Sequence, residues 1–153
     1  MKRSGEVFQR VDRGMVSFMD TYGIRLLRIS LGLVFMWFGL LKVIGRSPVY
    51  DLVAKTVYWV EPSVFVPLLG VWEVVIGLGL LFRLALRVTL LLFWLQLAGT
   101  FLTLILRPDI AFQRGHLLLL TTEGEFVIKN LVLISAGLVI GSTVKREAFR
   151  NSR

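Results

Sequence analysis

PSVFVPLLGVWEVVIGLGLLF, residues 62–82, carries a single charge, Glu73, in an otherwise apolar run. As a helix, at about 1.5 Å per residue, this run reaches the roughly 30 Å thickness of a bilayer's hydrocarbon core. A carboxylate near the middle of such a span is costly, so it must be paired, protonated or facing water. Each option points to a working site or to a structural clamp.

Composition places the whole chain in the same class. Of 153 residues, 56% are hydrophobic and 18% charged, against about 25% charged in an average soluble domain. A soluble chain of this length would struggle to bury so much apolar surface, and the length allows one domain. Cysteine is absent, which removes disulfides, thiol redox chemistry and thiolate metal sites. With His116 the only histidine, no site can use two imidazoles. No metal centre is expected, because nothing near His116 supplies a ligand set.

The net charge of +8 invites a nucleic-acid reading, which the distribution argues against. The basic residues flank apolar segments and do not form one stripe interleaved with polar residues. In a membrane protein such flanking charges set orientation. The first long apolar run begins after Arg28 and has no short apolar core followed by a cleavage site. The first span is therefore expected to remain uncleaved.

The spacing predicts an all-α, integral membrane four-helix bundle with spans at about 24–44, 63–82, 84–106 and 125–142. The fourth is marginal, because Lys129 and Lys145 bracket it closely, and it needs the start of its helix or snorkelling lysines to cross. Spans two and three, joined by a short turn near 83–87, must form an antiparallel hairpin. Residues 1–28 carry six Lys or Arg, the turn two and the tail after Ser142 four, against two in each loop on the other side (45–62 and 107–124). The positive-inside rule then puts both termini in the cytoplasm.

Interfacial pieces complete the expected architecture. Residues 1–23 form a cytoplasmic segment in which Phe8, Val11, Met15, Phe18 and Met19 recur at helical spacing, as on an amphipathic helix lying on the inner leaflet. Ser47-Pro48 can start a short outer helix, with Tyr58 and Trp59 at aromatic-belt level. Thr122 and Glu125 fit a capping box that opens the last span. Leu117–Leu120 before it read as an interfacial turn or a lid that dips back over the bundle. Residues 143–153 form a basic cytoplasmic tail.

Depth and helical spacing then assemble a candidate site. Arg28, Gly32, Phe35, Gly39 and Lys42 share a face of the first span, and Gly70, Glu73 and Gly77 share one of the second. Glu73 and Gln96 lie near the midplane, Thr100 and Thr103 climb outward from them, and Lys42, Lys129 and Asn130 lie near the outer ends. Lys42, Glu73, Gln96, Thr100, Lys129 and Asn130 are thus expected to line one outward-facing pocket. A Glu73–lysine pair there is tolerable if hydrogen bonds complete it. Arg28 lies at headgroup depth, where it is read as structural or lipid-binding.

These residues resemble a known family. Arg28-x3-Gly32-x2-Phe35-x3-Gly39-x2-Lys42 resembles the first-helix signature of the DoxX-like membrane proteins, and Glu73 followed by Gly77 resembles their second helix. Thr122-Glu123-Gly124-Glu125-Phe126-Val127-Ile128-Lys129-Asn130-Leu131 is similar to the start of the last helix in the YkgB-type branch. Asn130 stands where many members of that branch have aspartate, so no Lys–Asp pair is carried over. The resemblance covers about residues 24–142. It implies a four-helix protein of bacterial or archaeal inner membranes, some of whose relatives are linked to quinone-coupled sulfur oxidation or redox-protective assemblies.

The resulting expectation is a redox-associated subunit whose pocket holds a small polar or quinone-like headgroup while redox-protein partners carry much of the electron transfer. No haem, thiol or flavin motif marks it as a self-sufficient oxidoreductase. Two other readings stay open: a small-molecule or proton-coupled transporter, which would need to be a homo-oligomer, and a structural or assembly subunit without ligand.

Overall fold

Pro62 can occupy the first turn of a helix because its missing N–H would have no partner there, and the long helix of residues 62–82 begins on it. The computed structural model describes residues 2–57, 59–113, 116 and 118–150. In chain order the helices are α1 (Lys2–Val43), α2 (Tyr50–Thr56), α3 (Pro62–Phe82), α4 (Leu86–Leu106), α5 (Pro108–Ala111) and α6 (Thr122–Arg150). Tyr58, Leu117 and residues 151–153 lie outside the described residues, as do the side chains of 1–8, 10 and 145–150. The interfacial role given to Tyr58, part of the Leu117–Leu120 reading, Phe8 of the amphipathic stripe and the basic charges of the tail therefore fall outside them.

Among the described residues, four segments are long and apolar enough to cross a membrane: Val11–Val43, Pro62–Phe82, Leu86–Leu106 and Thr122–Val144. The last gains its length from a start at Thr122, three residues before the expected boundary, and so needs no snorkelling to span.

No break falls near residue 23: α1 is a single helix of 42 residues. At about 1.5 Å per residue it is twice as long as a hydrocarbon core is thick. Gly23 costs only about 1 kcal/mol relative to alanine inside a helix, too little to end one without a competing cap or proline. Val11, Met15, Phe18 and Met19 are exposed on this first half.

Arg83 stops α3 in the left-handed region (φ 57°), its N–H bonded to Gly79 O, and Ala85 (φ 40°) opens α4 the same way. Left-handed backbone is unfavourable for both residues, and local bonds hold it. Leu84 N–H also donates to Gly79 O at 3.0 Å, and Thr89 Oγ1 donates to Leu84 O at 2.8 Å. The turn forces α3 and α4 antiparallel.

α1 and α3 approach most closely. A Cβ added at Gly39 would stand 2.6 Å from Gly70 O, and one at Gly32 would stand 3.0 Å from Gly77 O. Steps of seven residues up α1 match steps of seven back down α3, so the two helices interlock antiparallel through bare backbone, as small-residue interfaces allow in membranes. Arg28 extends the register by donating to the carbonyls of Leu80 and Leu81, the latter at 2.9 Å.

Packing differs between the two ends of the bundle. Near the 83–85 turn, Leu31, Phe35, Ile76, Leu80, Leu90, Phe93 and Ile140 form a closed core. The Phe35 and Phe93 rings meet at 5.3 Å, and Gly137 leaves room for Phe93 on α6. The other end, where the loops after α1 and α4 lie, is hollow.

Candidate functional site

Three spans deliver one polar cluster to that hollow end. Glu73 sits halfway along α3, and each of its carboxylate oxygens takes a different partner. Lys42 Nζ of α1 donates to Oε2 at 2.6 Å, and Gln96 Nε2 of α4 donates to Oε1 at 2.8 Å. Glu73 is 7% exposed and Lys42 6%. Lys42 starts near the end of α1, and its stem must run along α3 to reach the carboxylate. Gly70 makes that possible, because a Cβ there would stand 2.7 Å from Lys42 Cβ. A buried charge pair is tolerated when geometry is good and remaining bonds are made. Both conditions hold here, and among the described residues no buried side-chain nitrogen or oxygen lacks a partner.

Beside this cluster lies a cavity of about 710 Å³ lined by α1, α2, α3, α4 and α6. That size suits a drug-sized organic ligand. Its polar lining includes Lys42, Glu73, Gln96, Thr100, Thr103 and Asn130, and the rest of its wall is mainly aliphatic and aromatic. Thr100 Oγ1 donates to Gln96 O at 3.1 Å, and Asn130 Nδ2 donates to Phe126 O at 3.2 Å. Both groups retain further hydrogen-bonding capacity in principle.

Lys129 does not join. It lies on the exposed face of α6 and pairs with Glu125, one turn back, at 3.1 Å; its ammonium also stands 5.7 Å from the Phe126 ring centre. Adjacent helical residues point about 100° apart, so with Asn130 turned inward its predecessor faces out. Arg28 takes the structural of its two readings, bonded within the bundle. Its bonds to α3 carbonyls neutralise that helix's negative end, which favours a cation.

Leu52, Val53 and Thr56 of α2 line the cavity at its loop end. A residue that the sequence reading passed over fastens α2 there. Arg107 Nη1 donates to Lys55 O at 2.8 Å, while Nε and Nη2 grip both oxygens of Asp109 at 3.0 and 2.7 Å. The Arg107-x-Asp109 spacing signals no bond to Lys55 but does signal the one to Asp109. That bond, with a smaller Coulombic contribution, holds the exposed Asp109 carboxyl below its ordinary value.

Among the described residues, none of the second loop (107–121) lines the cavity. Phe112 and Leu120 form an isolated bridge, Gln113 N–H donates to Leu119 O at 2.7 Å, and Leu118 is 94% exposed at the tip. Capping of α6 shifts by one residue from the expected box: Gly124 N–H donates to Thr121 Oγ1 at 3.0 Å. Thr121 Oγ1 in turn donates to Ile110 O at 2.5 Å, tying α6 to α5.

Trp72 is the other residue missed, an aromatic with a polar N–H at half depth. Its Nε1 donates to Leu92 O at 3.2 Å, bridging α3 and α4. Among the described residues, no group of three His, Asp or Glu side chains could hold a metal ion. No protein-family model, curated protein or solved structure matches the chain, so the site is read from its geometry.

Proposed function

We propose that this chain is a DoxX-like inner-membrane protein with both termini cytoplasmic, acting as a redox-associated subunit that holds a small polar or quinone-like headgroup beside Glu73. One observation carries the reading: a ligand-sized apolar cavity has its polar groups gathered at one place, around Lys42, Glu73 and Gln96. That pattern, a mostly apolar lining with a few convergent polar groups, is the common form of a small-molecule site. Intramembrane ionisable residues are functional candidates by default.

The test is binding of decyl-benzoquinone to protein in nanodiscs, alongside quinone-reductase activity of whatever redox protein co-purifies from native membranes. Saturable binding that Gln96→Leu and Glu73→Gln weaken is the expected result. No quinone binding, together with unchanged associated activity in Glu73→Gln, sinks the reading. A second reading has its own support, since both Glu73 oxygens are already engaged within the bundle. As a helix clamp alone, the cluster would change stability when mutated and nothing else.

A further inference from the structure

α2, fastened by Arg107, lines the cavity's loop end, and the closed core lies at the opposite end. Exposed residues line it on α1 (Val34 and Phe38), on α6 (Phe126) and between α3 and α4, and only in the last place is one of them a glycine. Leu68 and Trp72 on α3, and Leu95, Gly99 and Leu102 on α4, line the cavity and are also exposed. The three α4 residues fall at steps of four and three, one helix face. At its centre a Cβ on Gly99 would meet nothing within 4 Å, so no neighbouring side chain is packed on that position. Trp72 bridges to Leu92 O at the lower edge. Trp72 and Leu95 both stand halfway along their helices, at the depth of acyl chains.

The charge of the site points the same way. Lys42 and Glu73 cancel, and both carboxylate oxygens are engaged. Neither an anion nor a cation would find an unmatched countercharge in the polar cluster. A neutral head that accepts or donates hydrogen bonds would lose nothing to charge repulsion.

We infer that the cavity is loaded sideways from the bilayer, through the gap at Gly99 between α3 and α4, by an uncharged amphiphile whose polar head meets the Glu73 cluster and whose tail lies in the apolar part. This rests on the cavity being the ligand site, and it adds the ligand's charge class and its route.

Photo-crosslinking in nanodiscs tests it, with three diazirine probes. Two share one alkyl chain, ending in a hydroxyl or in trimethylammonium, and the third is a water-soluble glycerol diazirine. Cross-linked peptides are mapped by mass spectrometry. The hydroxyl probe is expected to label Leu69 and Thr100, displaced by excess decanol. The trimethylammonium probe should label them about a hundredfold less, the penalty for a fixed charge at mid-bilayer. Both alkyl probes should label lipid-facing Leu138 alike.

Gly99→Phe, and independently Leu95→Trp, should abolish cavity labelling by the hydroxyl probe and leave Leu138 labelling intact. Arg107→Gln, which frees α2, should not change it. If the two gap variants label normally, or if the glycerol probe labels the cavity and Arg107→Gln increases that labelling, the sideways route is wrong while the site stands. If no probe labels the cavity, the site itself fails and the inference with it.

Discussion

Removing Lys42 should cost more than removing the charge on Glu73, although the two form one pair. Lys42→Met leaves the carboxylate with only Gln96 as donor, halfway along a helix of 21 residues. A charge at that depth costs about 2.5–3.5 kcal/mol, and breaking one side of a buried pair typically costs about 3–5 kcal/mol. We therefore expect a loss of about 3–5 kcal/mol. Glu73→Gln strands an ammonium instead, but Lys42 is one residue from the end of α1. Its long stem can swing towards the loop end, which limits the loss to about 1–2 kcal/mol, the scale of one hydrogen bond to a charged group. The double variant Lys42→Met/Glu73→Leu removes both charges and should return to within about 1 kcal/mol of the starting protein, or exceed it. Reversible SDS unfolding in mixed micelles, followed by ellipticity, measures all four proteins. Equal losses in the two single variants would refute the depth argument. A double variant as unstable as the sum of the singles would refute the pairing itself.

Gly39→Ala should destabilise by about 1–3 kcal/mol, the usual overpacking cost, because its Cβ would press on Gly70 O; Gly99→Ala, in open space inside α4, should instead stabilise by up to about 1 kcal/mol in thermal unfolding. Arg28→Met should cost about 1.5–3 kcal/mol by loss of bonds to the Leu80 and Leu81 carbonyls, and Arg28→Lys should recover only part of it in the same assay, since an ammonium lacks the planar fork. Asp109 is held below its ordinary value of 3.8 chiefly by its bond to Arg107. Its contribution is then present above that value and lost as pH falls below it, so in acid titrations wild-type should lose its margin over Asp109→Asn only at the acid end.

Much of the site could be read from spacing because spanning helices restrict what can meet. Once 62–82 was a span, Glu73 had a depth, and the short turn at 83–85 placed Gln96 at a matching depth on the next helix. The glycines shared a face with Lys42 and with Glu73, which put those two side chains on one seam. Rotation about a helix was less legible. Lys129 and Asn130 are neighbours in sequence and equally polar, and only packing against α4 and α1 decides which turns inward. Continuity of α1 past residue 23 was hidden because the amphipathic spacing of residues 1–23 and the apolar run after Arg28 read as separate pieces. Contacts between loops were not legible at all. Nothing in the local pattern of Arg107 announces a carbonyl 52 positions earlier, nor does Trp72 announce Leu92.

Chain order gives the Glu73 cluster a further consequence. Lys42 precedes Glu73 by 31 residues, and Gln96 follows it by 23. During synthesis α1 therefore leaves the ribosome first. When the segment carrying the carboxylate emerges, its counter-ion is already on a finished helix, beside the glycines that α3 will dock against. Glu73 can enter the membrane as half of a neutral pair, and Gln96 closes the remaining oxygen only when the following helix folds back. Placing the lysine on the earlier helix makes the least soluble step of insertion a docking step.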